Sequence, residues 1–331
     1  MSTQPLAAPF PWFGGKRRAA PLIWAALGDP GGYVEPFAGS AAALLARPAF
    51  TGRRVETIND LDGWLVNAWR AIKYDPDATA EHAAGPVTEI DYHARLAWLQ
   101  ARREGLVSWL EGDPETYDAK AAGWWLYVVA CGIGDPFGSG PWSVVDGHLI
   151  KGERRGVNRK LPHLGCAGRG IVREANLSAY LRTLATRLAR VRITCGDWRR
   201  VLSPAASGAK AGGDGSLAIL LDPPYDTSPD LYKNTSNTNV GLSEAVGQWC
   251  RSADPDFRIA LCGYDTEHDD LLAHGWTKRE SKSGSGSGMS AQRDNGRRER
   301  LWLSPACLQT GQDSLFDGDD HSHYTNRSTN A

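Results

Sequence analysis

Directly after a run of five apolar residues, Leu217 to Leu221 (LAILL), the chain reads Asp222-Pro223-Pro224-Tyr225. Ordinary residue frequencies give such a tetrapeptide by chance in roughly one chain in a thousand of this size. One reading is structural, a strand followed by a proline turn. The other is chemical. An exocyclic amine on a purine is a poor nucleophile because its lone pair is delocalised into the ring, and it must pyramidalise before it can attack an electrophilic methyl group. Two acceptors aimed at its N–H bonds favour that change. The Asp222 carboxylate and a backbone carbonyl held at a fixed angle by Pro223 supply the acceptors, and Tyr225 offers an aromatic face for a base to stack on. Asp222, Pro223, Pro224 and Tyr225 are the candidate catalytic residues.

Such a group has to be carried by a rigid frame, and short apolar runs alternating with helical patterns indicate one. Tyr33 to Phe37 (YVEPF) and Arg54 to Ile58 (RVETI) read as strands, with helices over Ala41 to Ala46 and Trp64 to Ile72. Asn176 is expected to cap an amphipathic helix whose Leu177, Leu181, Leu184 and Leu188 share one face, and Arg192 to Cys195 follows as a strand. Leu217 to Leu221 reads as a strand buried on both faces and Phe257 to Cys262 as another. Trp276 to Ser283 and Arg300 to Ser304 are suited to closing the sheet as an antiparallel pair. The alternation implies a doubly wound α/β sheet, whose ligands lie at the carboxyl ends of the strands near the switch point. Three segments are expected to be mobile: Ser203 to Ser216, Ser281 to Gly296 with its GSGSG, and the polar tail from about Gln309.

Four further motifs stand in order around Asp222. Pro11-Trp12-Phe13-Gly14-Gly15-Lys16 opens the chain; Glu35-Pro36-Phe37-Ala38-Gly39-Ser40 lies where a strand turns through small residues into a helix; Asn59-Asp60 ends the next strand; Gly196-Asp197-Trp198 follows a third. Small residues at such a turn let backbone approach a ligand closely, and an acid at the end of the second strand typically accepts from ribose hydroxyls. Each has a plainer reading too. Lys16-Arg17-Arg18 is equally a solvated basic turn, and an Asp in the position of Asp197 is equally a helix cap.

Taken together, these motifs and their order resemble the Dam-like DNA N6-adenine methyltransferases, over most of the chain. The resemblance implies a class I S-adenosylmethionine-dependent methyltransferase sheet and S-adenosyl-L-methionine as the cofactor. It places Trp12, Lys16, Glu35, Phe37, Gly39, Asp60, Asp197, Trp198 and Asp222 at the cofactor. A lysine after two glycines suits the methionine carboxylate, Asp60 the ribose, and Trp198 stands where the family has Phe beside the adenine. Ser40 replaces a family glycine. The implied division is a discontinuous catalytic domain over 1–72 and 177–308, an inserted, mostly helical target-recognition domain over 73–176, and a disordered tail over 309–331.

The inserted segment carries Trp98, Trp109, Trp124, Trp125 and Trp142 and ends in a basic stretch. Between Lys151 and Arg200, 13 Lys or Arg stand against the three acids Glu153, Glu174 and Asp197, a local excess of +10 on a chain of net charge −1. That excess suits phosphate binding, although a charge run is also an ordinary solvated face. Here the family pattern thins. In place of its usual hairpin the chain has Cys131-Gly132-Ile133-Gly134-Asp135-Pro136-Phe137 and, later, Gly156 to Pro162. Lys151, Arg154, Arg155, Asn158, Arg159 and Lys160 are the expected contacts to double-stranded DNA, from which the target base would be flipped out.

Composition narrows the alternatives. The six cysteines form no CxxC pair and have no histidine at zinc spacing, so neither disulfides nor a structural metal is expected, and the thiols read as reduced core residues of a cytoplasmic protein. No leader pattern and no apolar run near 18 residues is present, so membrane association is not expected. Gly39 lacks GxGxxG partners, and Gly14-Gly15-Lys16 lacks the upstream glycine and following Ser or Thr of a P-loop. Family members acting on cytosine N4 usually have Ser in place of Asp222, and those acting on RNA or protein amides have Asn there. The reading is therefore a site-specific adenine methyltransferase. Cytosine N4 methylation, or a DNA-binding module that kept the fold without the activity, is the alternative. A monomer is expected, with any restriction nuclease encoded separately.

Overall fold

A computed structural model describes residues 6–12, 14–50, 52–85, 87–132, 137, 142–145, 148–151, 174–203, 215–224, 241–281 and 298–308. Seven strands form one sheet: β1 (Gly32–Glu35), β2 (Val55–Asp60), β5 (Val191–Cys195), β6 (Leu217–Leu221), β7 (Arg258–Tyr264), β8 (Thr277–Glu280) and β9 (Glu299–Leu303), in the order β5-β2-β1-β6-β7-β9-β8. The pairs from β5 through to β7 are all parallel; β9 runs against both β7 and β8. A separate antiparallel hairpin joins β3 (Trp142–Val145) to β4 (His148–Lys151). The fold is α/β, with a mixed but mostly parallel sheet compatible with a Rossmann-like arrangement.

Side-chain alternation assigns the two faces. Along β6, Leu217, Ile219 and Leu221 join one apolar cluster, and Ala218 and Leu220 join the other. In β7, Ile259 and Leu261 divide from Ala260 and Cys262 in the same way. The continuous apolar run at the sheet centre is thus buried on both sides, because parallel crossovers cover both faces. One face packs against α9 (Leu242–Ser252) and the turns carrying Trp198, Leu271 and Trp276. The other packs against α1 (Ala20–Leu27), α3 (Gly63–Tyr74) and α8 (Glu174–Leu188).

The same cluster continues without a break into α4 (Pro76–Ala83), α5 (Glu89–Gln100), α6 (Leu106–Gly112) and α7 (Ala119–Cys131) through Leu96, Leu99, Leu110 and Trp125. Arg70, buried on α3, fastens these helices to the sheet. Its guanidinium donates to the carbonyls of Leu110, Asp113 and Thr116 at the end of α6 and to that of Ile193 in β5, at 2.9, 2.8, 3.3 and 3.2 Å. A cation there satisfies carbonyls that a helix end leaves open.

Several boundaries differ from expectation, and those of α8, β1 and β2 have a plain physical reason. Helix α8 begins at Glu174, so Asn176 lies within its first turn and is not its cap; Glu and Ala before it are good helix formers, and a carboxylate suits the first turn. The stripe Leu177, Leu181, Leu184 and Leu188 is fully buried as expected. Strand β1 stops at Glu35, since Pro36 has no N–H to donate to the ladder, and β2 extends to Asp60 because Asn59 and Asp60 pair with Thr194 and Cys195. The five described cysteines, Cys131, Cys195, Cys250, Cys262 and Cys307, are buried free thiols; Cys166 lies outside the described residues. Most of the segments expected to be mobile, and the tail, also fall outside them. Among the described residues no helix is long and apolar enough to cross a membrane.

Candidate functional site

Strand order reverses between β1 and β6: the chain runs from β1 outward through β2 to β5, then returns to β6 and proceeds the other way. A crevice forms at the carboxyl ends of the two strands flanking such a reversal. Those ends are Glu35 and Leu221, so Pro36 to Ser40 and Asp222-Pro223-Pro224 flank the same opening. Pro223 is buried and Asp222 keeps 21% of its side chain exposed.

Lys16 brings a buried cation to this region. It is 5% exposed, and its ammonium lies 2.9 Å from Asp222 Oδ1, donates to the Gly14 carbonyl at 2.9 Å and stands 3.9 Å from Glu299 Oε1. Burial works against the charge, but Asp222, with Cys262 and Glu299 farther off, outweighs it and holds the pKa above the ordinary lysine range. The opening motif therefore brings its lysine to the catalytic candidate itself. A plain solvated turn does not describe it.

The loop after β1 is built by its neighbours. Asn59, buried at the end of β2, donates to the Pro36 carbonyl at 3.0 Å and to the Gly196 carbonyl at 2.9 Å, tying the β1 and β5 loops together. Gly39 N–H donates to Asp60 Oδ2 at 2.9 Å, and Trp69 Nε1 donates to the Gly39 carbonyl at 3.0 Å. Gly39 has φ +47°, and a Cβ there would collide with Trp12 Nε1, so glycine is required on both counts. Ala41 follows at φ +49°, a conformation that costs a non-glycine residue about 1 kcal/mol or more.

Two acids of this edge, Asp60 and Glu35, are raised. Burial pushes Asp60 up to about 6, against the bonds it accepts from the N–H groups of Asp62 and Gly39. Burial likewise pushes Glu35 up to about 7; its Oε1 accepts from Tyr33 Oη and from the Leu44 N–H, each at 2.6 Å. Glu35 thus braces α2 (Ala42–Leu45) from beneath. Asp197 accepts from the Arg199 N–H at 2.8 Å and caps the short 3-10 helix Trp198–Val201. Trp198 is buried, with the half-buried Phe37 ring 5.7 Å away and the Trp249 ring 6.1 Å away.

The structure accordingly gathers Trp12, Lys16, Glu35, Phe37, Gly39, Asp60, Asp197, Trp198, Asp222, Pro223 and Pro224 along one edge of the sheet. Tyr225, Arg154, Arg155, Asn158, Arg159 and Lys160 lie outside the described residues, and of Lys151 only the backbone at the end of β4 is described. Glu299 and Trp69 are not singled out by the sequence, and Asn59 enters there only as the neighbour of Asp60. The signal for Asn59 was present beside Asp60; that for Glu299 was hidden in the charged run Arg297-Arg298-Glu299-Arg300. No protein-family model matches the chain, and no curated protein matches it.

Proposed function

We propose that the chain is an S-adenosylmethionine-dependent DNA methyltransferase that modifies the exocyclic N6 of adenine in double-stranded DNA. One observation carries the reading: Asp222, the residue after the central strand, stands beside the switch point with a buried ammonium 2.9 Å from its carboxylate. A proline-bounded carboxylate at that place is an acceptor held in a fixed direction, which is what activation of a planar amine demands. The mixed sheet is of the kind expected for class I methyltransferases, and residues 73–176 would serve as the inserted recognition domain.

The residues present fit the cofactor. Asp60, at the end of β2, is a carboxylate suited to a ribose diol; the half-buried Phe37 ring offers a face to a purine; Gly39 removes the side chain that would crowd the turn. S-adenosylmethionine, when bound, supplies a methyl group already activated on sulfur. Asp222 and the Pro223 carbonyl would accept the two N–H bonds of the adenine amine, which sharpens its lone pair; the methyl–sulfur bond would break as the N–C bond forms, and the surplus proton on nitrogen would pass to the Asp222 carboxylate and on to water. Lys16 fixes the Asp222 oxygen in place while this happens. Lys151, Arg154, Arg155, Asn158, Arg159 and Lys160 are assigned to the DNA backbone and bases.

The test is transfer of labelled methyl from S-adenosylmethionine to unmethylated duplex DNA, with product nucleosides separated. N6-methyladenine from the wild type, reduced on the order of 10²–10³-fold in Asp222→Ala, is expected. N4-methylcytosine would move the assignment to the cytosine amine. Cofactor binding without transfer to any DNA would overturn the enzyme reading.

A further inference from the structure

Glu299 is the first residue of β9, and because β9 runs against its neighbours that residue comes to the same sheet edge as the ends of β1, β6 and β7, opposite Tyr264. It is 6% exposed. A carboxylate is expensive to bury unless a cation compensates it. Of the flanking arginines, Arg298 donates to Asp265 at 2.6 Å, and Arg300 donates to the backbone carbonyl of Glu299 at 3.0 Å. Among the described residues, the cation paired with Glu299 is Lys16, at 3.9 Å. That separation is an ion pair without a short hydrogen bond, whereas the contact of Lys16 to Asp222 on its other side, at 2.9 Å, is both.

Resting on the methyltransferase reading, we infer that Glu299 is a positioning residue for Asp222, acting through Lys16. One ammonium serves two carboxylates, one bordering the crevice and one behind it. Were Asp222 the sole anionic partner, its carboxylate alone would balance the ammonium charge and would lose more of the electron density that the incoming amine needs. Glu299 divides that charge and, with the Gly14 carbonyl, fixes where the ammonium sits. Asp222 then keeps its direction without losing its strength as an acceptor.

The experiment compares the full-length wild type with Glu299→Gln and Glu299→Asp in methyl transfer to duplex DNA, alongside their thermal midpoints. Glu299→Gln is expected to lower kcat roughly tenfold to a hundredfold, the order lost when the outer support of a reacting group is removed. KM for DNA and for S-adenosylmethionine should stay within about twofold, since neither is touched by Glu299. Glu299→Asp should recover part of kcat. An unchanged kcat, or a rise in KM at constant kcat, would overturn the inference. A second measurement separates its failure from that of the reading it rests on: the side-chain ammonium resonance of Lys16 in lysine-labelled protein, identified by its loss in Lys16→Met. It should move in Glu299→Gln. If the wild type transfers no methyl, the enzyme reading falls, and a moved Lys16 resonance still upholds the coupling; an unmoved one overturns it.

Discussion

The two ends of the central strands treat their acids in opposite ways. At the amino end, the buried Glu56 accepts from Arg47 at 3.0 Å and from Arg187 at 2.6 and 2.8 Å, while Asp29 takes Arg54 at 2.6 Å and Arg47 at 3.0 Å. Arg47 also lies 5.0 Å from the Trp24 ring centre and 4.5 Å from that of Phe50. Hydrogen bonding to Arg54 holds the Asp29 carboxyl below the usual range. At the carboxyl end, Asp222 and Glu299 share the Lys16 ammonium, and burial pushes Glu35 and Asp60 up. One end spends its charges on stability. The other holds Glu35 and Asp60 in an environment that disfavours their ionised form, a condition common at functional sites.

Neutralising acids at each end tests that contrast, and the largest effect belongs to the amino end. Glu56→Ala leaves the buried Arg47 without one of its carboxylates and should reduce the free energy of unfolding by about 3–5 kcal/mol. Denaturant titration reads it, and a loss below about 1 kcal/mol would mean the arginines are satisfied without Glu56 and the contrast is false.

At the carboxyl end the sign reverses. The pKa of Glu35 is raised in the fold from its ordinary 4.5 to about 7, so its contribution to stability is complete below 4.5 and is lost as pH rises through 7. The loss across that window is on the order of 3 kcal/mol. In Glu35→Gln, the difference in stability between mildly acidic and mildly alkaline pH, measured by denaturation, should shrink by that amount and leave the smaller part that belongs to Asp60, whose carboxyl is also raised. A variant that kept the full wild-type slope would assign the slope to another group.

Asp60 sharpens the comparison at the level of binding. If its carboxylate takes ribose hydroxyls, cofactor affinity should fall as pH drops through about 6, where Asp60 gains its proton. Asp60→Asn should weaken binding by roughly tenfold to a hundredfold, the worth of hydrogen bonds to a charged group, and should remove that pH dependence. Calorimetric titration with S-adenosylmethionine gives both. Equal affinity in wild type and variant would leave Asp60 only its observed task of holding the Gly39 and Asp62 N–H groups.

What was legible in the sequence follows from the same physics. The apolar strand Leu217 to Leu221 was plain because a strand buried on both faces has no polar positions, and the leucine stripe of α8 was plain because it has one buried face and one wet one. Helices α4 to α6 were obscure because their segment is acid-rich and offers only short apolar stripes. The role of Arg70 was hidden for a different reason: arginine on a helix reads as surface, and only the tertiary fold brings it to four carbonyls with no carboxylate required. Asp222 was visible through its prolines, whereas Glu299 acquires meaning only from the pairing of β9 against β7, which brings it opposite Tyr264; the expected antiparallel pairing with β8 did not by itself disclose that.

The smallest effect concerns Asp197, where two roles compete on one side chain. As the cap of a 3-10 turn it accepts from the Arg199 N–H, and it is 52% exposed, so replacing it by Ala should cost about 1 kcal/mol of stability and nothing more if capping is all it does. If it also contacts the cofactor, as the resemblance implies, Asp197→Ala should weaken S-adenosylmethionine binding while Asp197→Asn, which keeps the cap, weakens it too. The Asn variant is therefore the decisive one. Wild-type affinity in Asp197→Asn would remove Asp197 from the acids that meet the cofactor and leave it with the structural acids of the opposite end.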